Sequence, residues 1–177
     1  MSQAQIAGGT VSQRDELPAK GRRLHDFELI GDVGRKVRLS DYRGRANLVV
    51  IATDERPETA KLLSDAANRY GEIKSEEAEV LAILHATFDQ VNGCKQRLNL
   101  PYPVLADADG RLHRDLGAAD SQGHDSAAVY VTDRFGEVFG VYRTTGGQPV
   151  PGIADVLDWL EFVNAQCPEC EPPEWPA

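Results

Sequence analysis

The sequence predicts an α/β fold, a mixed central sheet flanked by helices with a β-hairpin near the N-terminus. Three observations carry that reading. "NLVVIAT" (47–53) and "EVLAILH" (79–85) are unbroken apolar runs, the mark of strands buried on both faces. Between them Leu62, Leu63, Ala66, Ala67 and Tyr70 recur at helical spacing, and a strand–helix–strand unit with short connections implies a right-handed parallel crossover. "AAVYVTDRFGEVFGVYRTT" (127–145) then reads as a hairpin, followed by a helix whose Ile153, Val156, Leu157, Leu160 and Val163 form one apolar stripe.

The remaining elements follow in order. Residues 1–22 form an arm without periodicity, carrying Gly8, Gly9 and Pro18. "FELIGDVGRKVRL" (27–39) reads as two short strands joined by a turn at Gly31–Gly34. "SDYRG" (40–44) is one helical turn, capped by Ser40 and stopped by Gly44. Pro57 suits the first turn of the helix after the first core strand. "FDQVNGCKQRL" (88–98) is a shorter helix, and "PYPVLADADGRLHRDLG" holds an extended segment, an Asp-Gly turn and a helical turn. The expected division is an arm (1–22), one domain (23–165) with a sheet of about four or five strands, and a C-terminal C-x-x-C tail (166–177). Few small folds join a parallel crossover to a hairpin and a closing helix, and the thioredoxin-like fold is one of them.

Composition excludes several functions. A net charge of −9 repels phosphate backbones, so nucleic-acid binding is not expected. "LVVIA" and "VLAIL" are too short to span a bilayer, and no membrane role is expected. Met1 leads into a polar stretch with no apolar secretory core, which predicts a cytoplasmic protein. In that reducing compartment a C-x-x-C pair is more often functional or metal-binding than a structural staple.

Three separated segments resemble the peroxiredoxins, the alkyl hydroperoxide reductase and thiol-specific antioxidant group. "FELIGDVGRKVRLSDYRGRANLVVIAT" is similar to that family's opening, "LNLPYPVLADADGRLHRDLGA" (98–118) to its Pro-Phe-Pro segment, and "AVYVTDRFGEVFGVY" (128–142) to its hairpin. The resemblance runs from about residue 24 to residue 165 and implies a thioredoxin-like fold and a redox or antioxidant role. It also implies a homodimer and a thiol or disulfide partner protein. The family sets Pro-x-x-x-Thr/Ser-x-x-Cys after the first core strand, where the helix N-terminus favours a thiolate. In "ATDERPETAKLL" Thr53 stands at the proline, Pro57 at the threonine and Ala60 at the cysteine, and a shift of one residue puts Thr59 there instead. The family's arginine falls near Ala127. A Thr hydroxyl has no sulfenic state, so peroxide reduction by the family's mechanism is not expected.

Three thiols remain. Cys94 on the 88–98 helix reads as a small buried hydrophobe, in a place similar to where some two-cysteine thiol peroxidases keep a resolving cysteine. Cys167 and Cys170 form "CPEC", with Cys167 four residues beyond Val163. There the pair closes a helix rather than opening one, and the negative helix end with Glu169, Glu171 and Glu174 disfavours the thiolates. Cys167 and Cys170 are accordingly the candidate redox pair, slow as nucleophiles and suited to resting as a disulfide. The alternatives are a zinc clip made by two tails in a dimer, to which His113 or His124 could add a ligand although nothing places them nearby, or a role in packing alone. No cofactor is expected apart from zinc under the second of these. A non-enzymatic binding or scaffold domain is the competing reading for the whole chain. Asp54 and His85, at the ends of two neighbouring strands, are expected either to meet as an acid/base pair or to be solvated loop residues. His25 and His113 show no pattern.

Overall fold

The computed structural model describes residues 16–119, 126–144 and 149–166. The central strand β3 (Asn47–Thr53) and its parallel neighbour β4 (Ala78–Leu84) are the two predicted apolar runs, and β3 is buried along its whole length. Burying each large aliphatic side chain here stabilises the fold by about 1.5–3 kcal/mol, so this pair anchors the domain. The helical stretch between them breaks at Arg69 (φ −107°, ψ 19°) into α1 (Pro57–Asn68) and α2 (Tyr70–Ser75). Asn68 and Gly71, both weak helix formers, flank the break.

The sheet has seven strands, more than expected, because the N-terminal hairpin joins it. In that hairpin β1 (Glu28–Gly31) pairs with β2 (Lys36–Arg38), and β1 also pairs antiparallel with β5 (Val104–Ala106). With β6 (Ala128–Thr132) and β7 (Val138–Arg143) the order is β2-β1-β5-β4-β3-β6-β7. In the turn of the second hairpin the Asp133 carboxylate accepts the backbone N–H groups of Phe135 (2.9 Å) and Glu137 (2.8 Å), and Gly136 takes φ +84°.

Two apolar layers enclose the sheet. On one face α1, α2, α3 (Phe88–Leu98) and α5 (Ile153–Ala165) cover Val49, Ile51, Val80, Ala82 and Val129. The stripe on α5 is buried as its spacing predicts. On the other face Leu24, Leu39 in a 3-10 turn (Leu39–Tyr42), and Leu116 after the short helix α4 (Arg111–Asp115) cover Val50, Ala52, Leu81 and Tyr130. Residues 21–24, across the junction of arm and domain, hydrogen-bond along Gly136–Val138 at the entry to β7, and the Lys20 ammonium sits 4.1 Å from the Trp159 ring. Among the described residues no helix is long and apolar enough to cross a membrane.

Candidate functional site

The strands β3, β4 and β5 run the same way, and their carboxyl ends converge on one rim, where open α/β sheets bind ligands. Thr53, the last residue of β3, is fully buried. Its carbonyl accepts the His85 backbone N–H at 3.2 Å and lies 2.9 Å from His113 Nε2. A carbonyl oxygen only accepts, so Nε2 carries a proton. The other ring nitrogen, Nδ1, lies 2.7 Å from Asp107 Oδ2, which also accepts the His113 backbone N–H at 2.8 Å. Both side chains are sealed from solvent. Burial pushes the Asp107 carboxyl up, but the hydrogen bonds from the His113 ring and backbone outweigh it and hold the group below the usual carboxylate range. Each polar atom of the two side chains that faces the interior thus has a hydrogen-bonding neighbour.

In the sequence His113 shows no pattern, beyond being available as an extra ligand for the zinc alternative. It sits on a five-residue helix, too short to show periodicity, and its partner Asp107 lies in a stretch that reads as a polar turn. The Asp-x-x-Gly-x-x-His spacing, which folds a side chain back across a tight turn, is the signal that could have found it.

After Thr53 the chain turns into α1. Thr59 is buried, and its Oγ1 lies within hydrogen-bonding distance of the Asp54 carbonyl (3.0 Å), the Asp54 carboxylate (3.1 Å) and the Arg56 carbonyl (2.9 Å). The other Asp54 oxygen pairs with Arg56 Nε at 2.6 Å. Pro57 opens α1 as its first residue, and Ala60 is half-buried in the first turn. The position the sequence singles out for a nucleophile therefore holds a methyl group or a tied-down hydroxyl.

Of the two alternatives for Asp54 and His85, the structure does not build the acid/base pair, and the two groups turn to different neighbours. Asp54 is taken by Thr59 and by Arg56, two residues along the same loop. The His85 ring instead lies over Gly110 and 5.5 Å from the His113 ring. Gly110 has φ +63°, and a Cβ there would stand 2.7 Å from His85 Nε2, so glycine is needed for conformation and for space.

Ala127 lies just before β6 and is buried, exchanging hydrogen bonds with Thr144. A guanidinium does stand close by, on the facing strand, because Arg143 pairs with Ala128. It turns to the face of the sheet opposite α1, where its Nε donates to the Tyr130 hydroxyl at 3.0 Å and another of its nitrogens donates to the Pro18 carbonyl.

Cys94 lies on α3 with its side chain in the core. Burial and the neighbouring Glu55 carboxylate push its thiol up to about 11, which makes it inert near neutrality. Cys167 and Cys170 lie outside the described residues, as does His124. Among the described residues no cluster of three His, Cys, Asp or Glu side chains could hold a metal ion.

Comparison with known proteins agrees with this fold. The family model described as AhpC/TSA family matches residues 20–141. A chloroplastic peroxiredoxin Q of Suaeda salsa is 30% identical over 138 residues, covering 76% of this chain and 64% of that protein, so the match spans less than two thirds of that relative's length. A peroxiredoxin of Ignicoccus hospitalis is 26% identical over 173 residues, covering 91% of this chain and 73% of its own. The crystal structure of the peroxidoxin BcpB of Mycobacterium tuberculosis superposes with a TM-score of 0.74 at 19% identity, over 82% of this chain and 98% of that one.

Proposed function

The chain belongs to the AhpC/TSA family, and we propose that within it this protein is a thiol–disulfide redox protein that works through Cys167 and Cys170 instead of through a thiol at the strand ends. One observation carries the reading. The rim where the family's nucleophile belongs is filled by Thr59 and Ala60, with an Asp54–Arg56 ion pair across the loop. The thiol on α3 is buried and far from ionisation, which leaves Cys167 and Cys170 as the only other sulfhydryls in the chain. The pair gives two electrons and two protons to a disulfide of a partner protein, closing its own disulfide as the partner becomes a dithiol. The acidic surroundings of the tail make this transfer slow and its oxidised form persistent. A reducing cytoplasm that regenerates the dithiol, and a homodimer of the family's kind, complete the proposal.

A single-turnover assay tests it. Reduced protein is mixed with a disulfide substrate, and the released thiol is followed for the wild type, Cys94→Ser and Cys170→Ser. Wild-type and Cys94→Ser rates should agree, and Cys170→Ser should stop after one thiol at the mixed disulfide. An unchanged rate and stoichiometry in Cys170→Ser would remove the tail pair from the chemistry and favour a scaffold domain.

A further inference from the structure

The two faces of the sheet are covered unequally, and the thinner cover leaves a cavity. α1, α2, α3 and α5 close over the face of Val49 and Ile51. The opposite face has only Leu24, the 3-10 turn, the five-residue α4 and the end of the arm, which are too small to fill it. The gap they leave is a cavity of about 520 Å³, within the span of about 300–1,000 Å³ usual for small-molecule sites. Pro18, Leu24 and Leu116 are buried in its lining, and Phe27, Leu29 and Leu112 turn half-buried side chains into it. Leu112 and Leu116 reach it together because they stand one helical turn apart along α4, and Arg111 and Asp115 share a second row for the same reason.

The charges around this apolar lining decide what it can hold. Glu16, Asp26, Glu28, Asp107, Asp109 and Asp115 line the cavity, with Arg111 and His25 as the basic groups among them. Glu28 is already matched by Lys36 at 2.6 Å and by Arg38, and Asp107 by His113. Asp26 and Asp109 accept the backbone N–H groups of Ser40 (2.8 Å) and Arg111 (3.0 Å), bonds that leave their negative charge in place. Two further guanidiniums stand behind the walls. Arg114 donates to the Asp109 carbonyl at 3.2 Å, and Arg143 donates to the Pro18 carbonyl and, at 3.0 Å, to the Tyr130 hydroxyl. With Arg111, Arg114 and Arg143 all set against Glu16, Asp26, Asp109 and Asp115, the balance stays negative. The geometry points to this cavity as a binding site for a small organic ammonium ion, an apolar body carrying one protonated amine. The body lies against Phe27, Leu29 and Leu112, where burial supplies the affinity. The ammonium stays at the rim in the field of the exposed Asp109 and Asp115, where it keeps part of its hydration. An anion of the same shape meets a field of the wrong sign. The site lies on the face of the sheet opposite Cys94 and takes no part in the thiol chemistry proposed above.

The test follows the leucine methyl signals of the full-length chain by NMR, at about pH 8, above the ordinary histidine range. Phenethylamine is the probe, with phenethyl alcohol and phenylacetate as its neutral and anionic counterparts. The amine should shift the methyls of Leu24, Leu29, Leu112 and Leu116. It should bind several-fold more tightly than the alcohol at low salt and lose that margin at high salt, with phenylacetate weakest. The double variant Asp109→Asn, Asp115→Asn keeps the side-chain shapes and the acceptor for the Arg111 N–H. It should bring the amine down to the level of the alcohol and leave the alcohol unchanged. Leu112→Trp fills the cavity and should abolish binding of both. Amine shifts that fall on other methyls, or on none, would overturn the site. Equal binding of the three probes at low salt, or an undiminished amine affinity in the double variant, would overturn the assignment of an ammonium ligand. Binding that survives Leu112→Trp unchanged would place the ligand elsewhere.

Discussion

His113 Nε2 and the Thr53 carbonyl lie 2.9 Å apart in a fully buried contact, so the oxygen that ends the central strand is held by a ring whose other nitrogen is held by Asp107. The rim keeps a defined backbone although its nucleophile position carries no thiol. Replacing His113 by Leu leaves the Asp107 carboxylate buried beside an apolar group, and breaking a buried pair from one side costs about 3–5 kcal/mol. We expect a loss of that size in urea unfolding. Adding Asp107→Leu to His113→Leu should recover part of the loss, since no charge is then stranded.

The same pair sets an acid limit. Against the cost of burial, the hydrogen bonds from the His113 ring and backbone hold the folded Asp107 carboxyl below its ordinary value. A lowered folded value means that the stabilisation is fully present above the unfolded value and is lost as the pH falls through the folded one. Unfolding free energy followed from pH 5 downward should decline below about pH 4 in the wild type, and less steeply when Asp107 and His113 are both Leu. Identical acid profiles for the two proteins would show that the pair contributes nothing to the decline.

Cys94 should behave as a core side chain. With its thiol pushed up to about 11, roughly one molecule in ten thousand carries a thiolate at pH 7. Iodoacetamide at that pH should leave Cys94 unmodified in the folded protein and label it once denaturant is added. Labelling in native buffer at the rate of an ordinary exposed thiol would contradict its placement.

Asn164→Ala removes the bonds that tie the end of α5 to Asn47 and Glu76. A neutral hydrogen bond contributes about 0.5–1.5 kcal/mol, and leaving the buried Asn47 amide short of a partner raises the cost, so a loss of about 1–2 kcal/mol is expected. Amide hydrogen exchange should speed up in the last turn of α5 while β3 stays protected. Unchanged exchange there would mean that the contact does not hold the tail root.

Much of the fold could be read from the sequence because burial on both faces leaves a plain pattern, as in 47–53 and 79–85. The sheet's full width could not. The pairing of Ile30 with Ala106 joins segments 76 residues apart, and no local periodicity reports on it. The rim was legible in its parts and not in its contacts. Spacing places Asp54 and His85 at neighbouring strand ends, but it does not show that Arg56 competes for Asp54 or that Gly110 leaves room for the His85 ring. His113 stayed hidden because a one-turn helix has no face to read.

The most direct measurement is a count of reactive thiols in the native full-length chain, first reduced and desalted, then mildly oxidised and counted again. Two reactive thiols are expected in the reduced protein, none after oxidation, and a third, Cys94, only in denaturant. Two reactive thiols that survive oxidation unchanged, or a Cys94 that is consumed along with the tail, would contradict this expectation.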